Sequence, residues 1–178
     1  MLRKLKRLFS KPAPAIPPEV RVGKNVKIYG RVSFGSEPYL IEIGDNTRIA
    51  EDVRFFTHDG GVHVLRNMGL LENADIFGPI KIGKNVHIGT EAMIFPNVTI
   101  GDNVVVGIRA VVTKNVPDNC VVAGMPARII ETIEEYYEKH KDTCDFTKHL
   151  SAEEKKEYLL KKYGLNEQEK NEKNIVCN

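Results

Sequence analysis

Apolar residues recur every six positions along most of this chain. In sixes from Val22 it reads "VGKNVK IYGRVS FGS", then "IGDNTR IAEDVR FFTHDG", and after an interruption "IFGPIK IGKNVH IGTEAM IFPNVT IGDNVV VGIRAV VTKNVP". The first position of each unit is a sizeable apolar residue: Val22, Ile28, Phe34, Ile43, Ile49, Phe55, Ile76, Ile82, Ile88, Ile94, Ile100, Val106 and Val112. The fifth is mostly small or β-branched, as at Val26, Thr47, Val86, Ala92 and Ala110. A period of six suits neither an amphipathic helix nor one long alternating strand. It predicts short strands joined by sharp corners, three units closing each turn of a coil, with first-position side chains stacked along the axis. A β-sandwich would space its strands at roughly 8–12 residues instead. Gly23, Gly44, Gly83, Gly89, Gly101 and Gly107 follow the large residue, where a corner is expected to need unusual backbone angles. Asn25, Asn46, Asn85 and Asn103 stand where a left-handed residue is tolerated.

The frame breaks twice. Near Ser36-Glu37-Pro38 it gains three residues, and after Phe55 it gains about fifteen. An excursion from a coil, here about residues 56–75, does not serve the core and maps to one face, often the binding face. This one carries "FFTHDGGVHVLR", with His58, Asp59 and His63.

The flanks differ in composition. Residues 1–19 are a basic amphipathic start, "MLRKLKRLFSK", followed by a proline-rich stiff linker. The start reads as a solvated charge run, with docking of residues 1–12 on an anionic membrane surface as the sharper reading. The coil occupies 20–128. Residues 129–165 are expected to be helical, with Ile129, Ile130, Ile133, Tyr136 and Tyr137 on one face and "SAEE" from Ser151 as a capping box closed by Gly164. These helices would cover the open end of the coil, and 166–178 would be a disordered polar tail.

Composition narrows the setting. A net charge of +2 gives no argument for nucleic acid. Cys120, Cys144 and Cys177 are far apart and odd in number, which points to a reducing, cytoplasmic location without disulfides. No apolar run approaches the roughly 20 residues of a membrane span.

The repeats resemble those of the hexapeptide-repeat acyltransferases from about Val22 to Ile130. That resemblance implies an all-β solenoid, a left-handed parallel β-helix with one extruded loop, assembled as a homotrimer with active sites between subunits. "Thr57-His58-Asp59" is similar to the "THP" step of the maltose and galactoside acetyltransferases, whose histidine is the general base, and this makes His58 the base. "THDGGVHVLR" looks more like capsule and exopolysaccharide O-acetyltransferases and moves the acceptor toward a glycan or its precursor. Matching position puts Asp75 in the place of the acid that orients the histidine, with Glu72 and Asp59 as rivals. Asp59, His63 and His87 are candidate acceptor contacts. "IGDNVVVGIRAVVTKNVPDNCVVAGMPARII" resembles the coenzyme A segment, and implies contacts from Thr90, Ile108, Thr113, Lys114 and Arg128. A lysine and an arginine on a narrow groove suit a 3′-phosphate and pyrophosphate.

The resulting expectation is an acetyl-CoA-dependent O-acetyltransferase acting on a sugar, without a metal, the hydroxyl attacking the thioester directly. An N-acetyltransferase of an amino sugar or xenobiotic is the alternative. A zinc enzyme of the γ-carbonic anhydrase type, using His58, His63 and His87, and a non-catalytic scaffold are further readings. Cys144, His140 and His149 receive no chemistry.

Overall fold

The computed structural model describes residues 16–165. The basic segment 1–12, with its expected membrane contact, and the tail from residue 166 lie outside the described residues. Contacts divide the chain into two units, Met1–Glu138 and Lys139–Asn178.

The first unit is built from short strands: β1 (Arg21–Val22), β2 (Lys27–Ile28), β3 (Ile41–Ile43), β4 (Arg48–Ile49), β5 (Arg54–Phe55), β6 (Ile80–Ile82), β7 (His87–Ile88), β8 (Met93–Ile94), β9 (Thr99–Ile100), β10 (Val105–Val106), β11 (Val111–Val112) and β12 (Cys120–Ala123). Successive strands fall on three sheets in rotation. One sheet stacks β1, β3, β6 and β9, a second β2, β4, β7, β10 and β12, and a third β5, β8 and β11, all in parallel. In each pair the first-position residues face one another, as Ile49 faces Ile88 and Ile88 faces Val106. Their side chains form the core, Ile49, Ile88, Ile94, Ile100 and Val106 being buried almost completely. Fully burying such a side chain is worth about 1.5–3 kcal/mol.

The asparagines behave as the pattern predicts. Asn25, Asn46, Asn85 and Asn103 have φ of 55° to 58°. Their amides form ladders from turn to turn, Asn85 donating to Asn103 at 2.9 Å and Asn103 to Asn119 at 2.8 Å.

The glycines are there for a different reason than expected. None of the six has positive φ. What they provide is room: a Cβ on Gly83 would lie 2.5 Å from the Gly101 carbonyl oxygen and 2.5 Å from Asp102 Oδ1. Gly83→Ala is therefore expected to cost about 1–3 kcal/mol by overpacking, read as a lowered denaturation midpoint. Gly60→Ala, where an added Cβ meets nothing within 4 Å, is expected to stay within about 0.5 kcal/mol.

Two expectations are corrected. Ile76 is not a core position but 42% exposed, and the frame resumes with Ile80 and Ile82, both buried. The reason is that Ile76 is spent on closing the excursion, its carbonyl accepting from Asp59 N–H. Ile129 and Ile130 are not helical. They belong to β13 (Arg128–Thr132), which pairs antiparallel with β12. A strand here satisfies the edge that β12 would otherwise leave open, and β-branched residues suit it. Helix α2 (Ile133–His140) follows.

In the second unit α3 (Ala152–Lys162) opens with the expected capping box, Ser151 and Glu154 bonding reciprocally. It ends at Gly164, whose φ is 61°. Asp145 accepts from Tyr158 and Lys162, each at 2.6 Å.

Candidate active site

His58 is held where the two ends of segment 56–79 close on one another. Asp59 N–H donates to the Ile76 carbonyl at 2.9 Å, Gly78 N–H donates to the Thr57 carbonyl at 2.9 Å, and His58 bridges antiparallel to Phe77. The Phe77 ring meets the imidazole edge-on, with centroids 6.4 Å apart. Between these ends runs α1 (Val62–Asn67), anchored by buried Val62. Arg66 Nη1 donates to the Ala74 carbonyl and, at 2.8 Å, to Asp75 Oδ1.

One turn of coil earlier lies the smaller frame break. Gly35 has φ of +69°, and a Cβ there would sit 2.8 Å from Thr57 Oγ1. A short 3-10 turn, Pro38–Leu40, follows, with Glu37 as its first cap. This brings Glu37 Oε2 to 3.1 Å from His58 Nδ1 across 21 residues of sequence, with Ser36 Oγ 3.2 Å from the same nitrogen. The fully buried Thr57 hydroxyl donates to Glu37 Oε2 at 2.6 Å. That bond, and those from His58 and Ser36, hold the Glu37 carboxyl below its ordinary pKa against the opposing effect of burial.

The hydrogen-bond pattern determines the tautomer. An ionised carboxylate can only accept, so the proton between Glu37 and His58 is carried by Nδ1. In the neutral ring Nε2 is then the unprotonated nitrogen, on a side chain 45% exposed. This is the form of histidine that can take a proton.

Two clefts flank His58. One, of about 300 Å³, is polar and lined by Ser36, Glu37, Asp59, Arg66 and Asp75. The other, of about 430 Å³, is lined by Phe56, Asp59, Ile76, Phe95, Pro96 and Thr113. Thr113 also lines a third cleft of about 350 Å³ with Lys114 and Arg128. Arg128 is fixed as the first residue of β13, opposite Ala123. Neither Lys114 nor Arg128 forms an ion pair among the described residues, so the cleft presents two uncompensated cations.

Several candidates are placed differently from expectation. Asp75 does not orient His58; it is held by Arg66, and the carboxylate on Nδ1 is Glu37. Asp59 adjoins His58 in both flanking clefts, and its Oδ1 accepts from Gly61 N–H at 2.8 Å. His63 is exposed on α1, where Asn67 donates to its Nε2 at 3.0 Å. His87 is half-buried on β7 beside Arg48, and burial followed by that guanidinium holds its pKa below the ordinary value. Among the described residues no group of three His, Cys, Asp or Glu side chains is placed to hold a metal ion. Thr90 accepts from Arg109 N–H at 2.9 Å through its carbonyl, and Ile108 is 70% exposed; both stand outside the three clefts.

No family model matches the chain. It is 48% identical over 149 residues to Protein CapG of Staphylococcus aureus, which covers 83% of this chain and 86% of that protein. Among solved structures it is similar to a maltose O-acetyltransferase from Clostridium difficile 630, at 31% identity and a TM-score of 0.53, covering 73% of this chain and 83% of the other. A hexapeptide-repeat-containing acetyltransferase of Vibrio cholerae O1 biovar eltor, complexed with acetyl coenzyme A, gives 30% identity and a TM-score of 0.57 over 65% of this chain and 61% of its own. The chain belongs to the hexapeptide-repeat acetyltransferases.

Acetyl coenzyme A, which the Vibrio cholerae structure holds, carries phosphates. The cations of the third cleft fit its charge, since Arg and Lys are the side chains that hold phosphates. Among the described residues, no helix of the acetyltransferase is long and apolar enough to cross a membrane. Sequence reasoning missed Glu37, Thr57 and Arg66. The signal for Glu37 was present, because the offset that stacks Phe34 on Phe55, with ring centroids 5.6 Å apart, also sets Glu37 against His58.

Proposed function

We propose that this chain transfers an acetyl group from acetyl-CoA to a hydroxyl of a sugar or glycan precursor, with His58 as general base and Glu37 as the residue that orients it. Nε2 takes the hydroxyl proton as the oxygen attacks the thioester carbonyl. The carbon–sulfur bond then breaks, the ester is formed, and the proton passes from His58 to the departing thiolate. The observation that carries this reading is the Glu37–His58 pair, which leaves Nε2 unprotonated between two clefts. Thr113, shared by the second and third clefts, supports a thioester running from Lys114 and Arg128 toward His58. The maltose enzyme among the similar structures supports a sugar acceptor.

The same reading includes a left-handed coil, with segment 56–79 as its extruded loop. It includes a homotrimer whose sites lie in the grooves between copies, where Thr90 and Ile108 complete the coenzyme contact. Asp59 faces the acceptor, and His63 and His87 stand at the rim of that groove. The location is cytoplasmic.

The test has two parts. Acetyl-CoA at about 100 times its dissociation constant is expected to stabilise the protein by about 2.7 kcal/mol, seen as a raised Tm. Lys114→Ala with Arg128→Ala is expected to remove most of that shift. In parallel, release of coenzyme A thiol is followed with a panel of glycosides. A Tm indifferent to acetyl-CoA, or thiol release that no sugar accelerates, contradicts the proposal.

A further inference from the structure

The polar cleft beside His58 has a charge imbalance that bears on the acceptor. We infer that this cleft selects acceptors by charge, taking sugars with no anionic group near the reacting hydroxyl, and that Asp75 sets the selection by neutralising Arg66. The inference rests on the polar cleft being the acceptor side of the proposed reaction.

Three carboxylates line the cleft, Glu37, Asp59 and Asp75, against the single guanidinium of Arg66. With His58 neutral, two negative charges remain in excess. Arg66 is not available to an incoming anion. Its Nη1 is committed to Asp75 Oδ1 at 2.8 Å and to the Ala74 carbonyl, and its side chain is 32% exposed. The second cleft offers no cation either, since beyond His58 and Asp59 it is lined by Phe56, Gly60, Ile76, Phe95, Pro96, Asn97 and Thr113.

A carboxylate or phosphate on the acceptor would therefore meet like charge with no counter-ion, in a space where water screens less than in bulk. A neutral polyol meets the opposite situation. Ionised carboxylates are pure acceptors, and each sugar hydroxyl is a donor for them. The cleft attracts hydroxyls and repels anions with the same three side chains, which is specificity by built-in repulsion.

Asp75 controls the balance. With an amide in its place the negative excess falls by one, and the Arg66 guanidinium loses its ionic partner and becomes open to an acceptor anion. The charge-preserving glutamate keeps the balance as it is.

The experiment compares matched pairs of methyl hexosides and methyl hexuronosides as acceptors with acetyl-CoA. The wild type is expected to prefer the neutral member by at least about tenfold in kcat/KM, because like-charge juxtaposition at a recognition site costs several-fold to many-fold in affinity. The preference is expected to shrink as ionic strength rises from 0.01 to 1 M, where the screening length falls from about 30 to 3 Å. Asp75→Asn is expected to raise the anionic-to-neutral ratio by at least about tenfold, and Asp75→Glu to return it to the wild-type value. Damage to the fold alone would lower both acceptors together and leave the ratio unchanged. Equal use of both acceptors by the wild type, or an unmoved ratio in Asp75→Asn, overturns charge selection and leaves the transferase reading standing. If no glycoside of either kind accelerates thiol release, the sugar-acceptor reading falls, and charge selection falls with it.

Discussion

Replacing His58 with alanine is expected to lower kcat by about 10²–10⁴-fold, the range a positioned general base contributes. The acceptor hydroxyl is a poor nucleophile while it keeps its proton, and among the side chains lining the polar cleft His58 is the one whose Nδ1 is held by a carboxylate, which in the neutral ring leaves Nε2 as a free acceptor for that proton. The carboxylates around it are already engaged: Glu37 accepts from Thr57 and His58, Asp75 from Arg66, and Asp59 from Gly61. The alanine variant should still gain Tm with acetyl-CoA, because Lys114 and Arg128 line a different cleft. Steady-state thiol release alongside thermal unfolding checks both halves. Activity within about tenfold of wild type would remove His58 from the base role.

The second large effect is expected at Glu37, and the informative substitution is Glu37→Gln. The amide is nearly the same size, so the 3-10 turn and the contact with Thr57 can persist. It differs in having N–H donors as well as an oxygen acceptor. With an N–H turned toward Nδ1, the imidazole is driven into the tautomer with its proton on Nε2, where it cannot accept the hydroxyl proton. A fall in kcat on the order of 10²–10⁴ is expected, as where an orienting carboxylate of a catalytic histidine is made an amide. Tm and acetyl-CoA binding should remain near wild type. If kcat holds while Tm falls, Glu37 is a structural residue of the turn and the dyad assignment is wrong.

Much of this fold was legible in the spacing of apolar residues alone, and the failures are instructive. Ile82, Ile88, Ile94 and Ile100 follow the six-residue rule because each strand pairs in parallel with its equivalent one turn away. Ile76 obeys the spacing by coincidence; its backbone is spent on zipping segment 56–79 shut. The glycines were located correctly but explained wrongly, since a sequence shows where side chains vanish and not whether space or backbone angle demanded it. Ile129 and Ile130 fit a helical face on paper, yet the unpaired edge of β12 is a tertiary requirement that no local pattern carries.

The site was half visible. His58 stands out by interrupting a regular repeat. Its acid was sought nearby in sequence, in the excursion itself, where Asp75 is taken by Arg66. Glu37 lies 21 residues earlier and looks like part of an unremarkable insertion. Only counting in turns of the coil, rather than along the chain, brings the two together. Thr57, a third-position residue buried and donating to that acid, could not be told from the other polar residues of the repeat without coordinates.

Pairing across turns makes the catalytic dyad a question of phase. Each turn of such a coil touches only its neighbours. Whole turns could be gained or lost beyond β6 during divergence, lengthening or shortening the body, without disturbing the pairing of Glu37 with His58, which lie just before β3 and just after β5. A single six-residue unit inserted between Phe34 and Thr57 would be another matter. It would preserve the apolar rhythm and the core, and it would carry the acid one face out of step with its histidine. The pairing of acid and histidine therefore tolerates whole turns added after it and hardly any change of length within it.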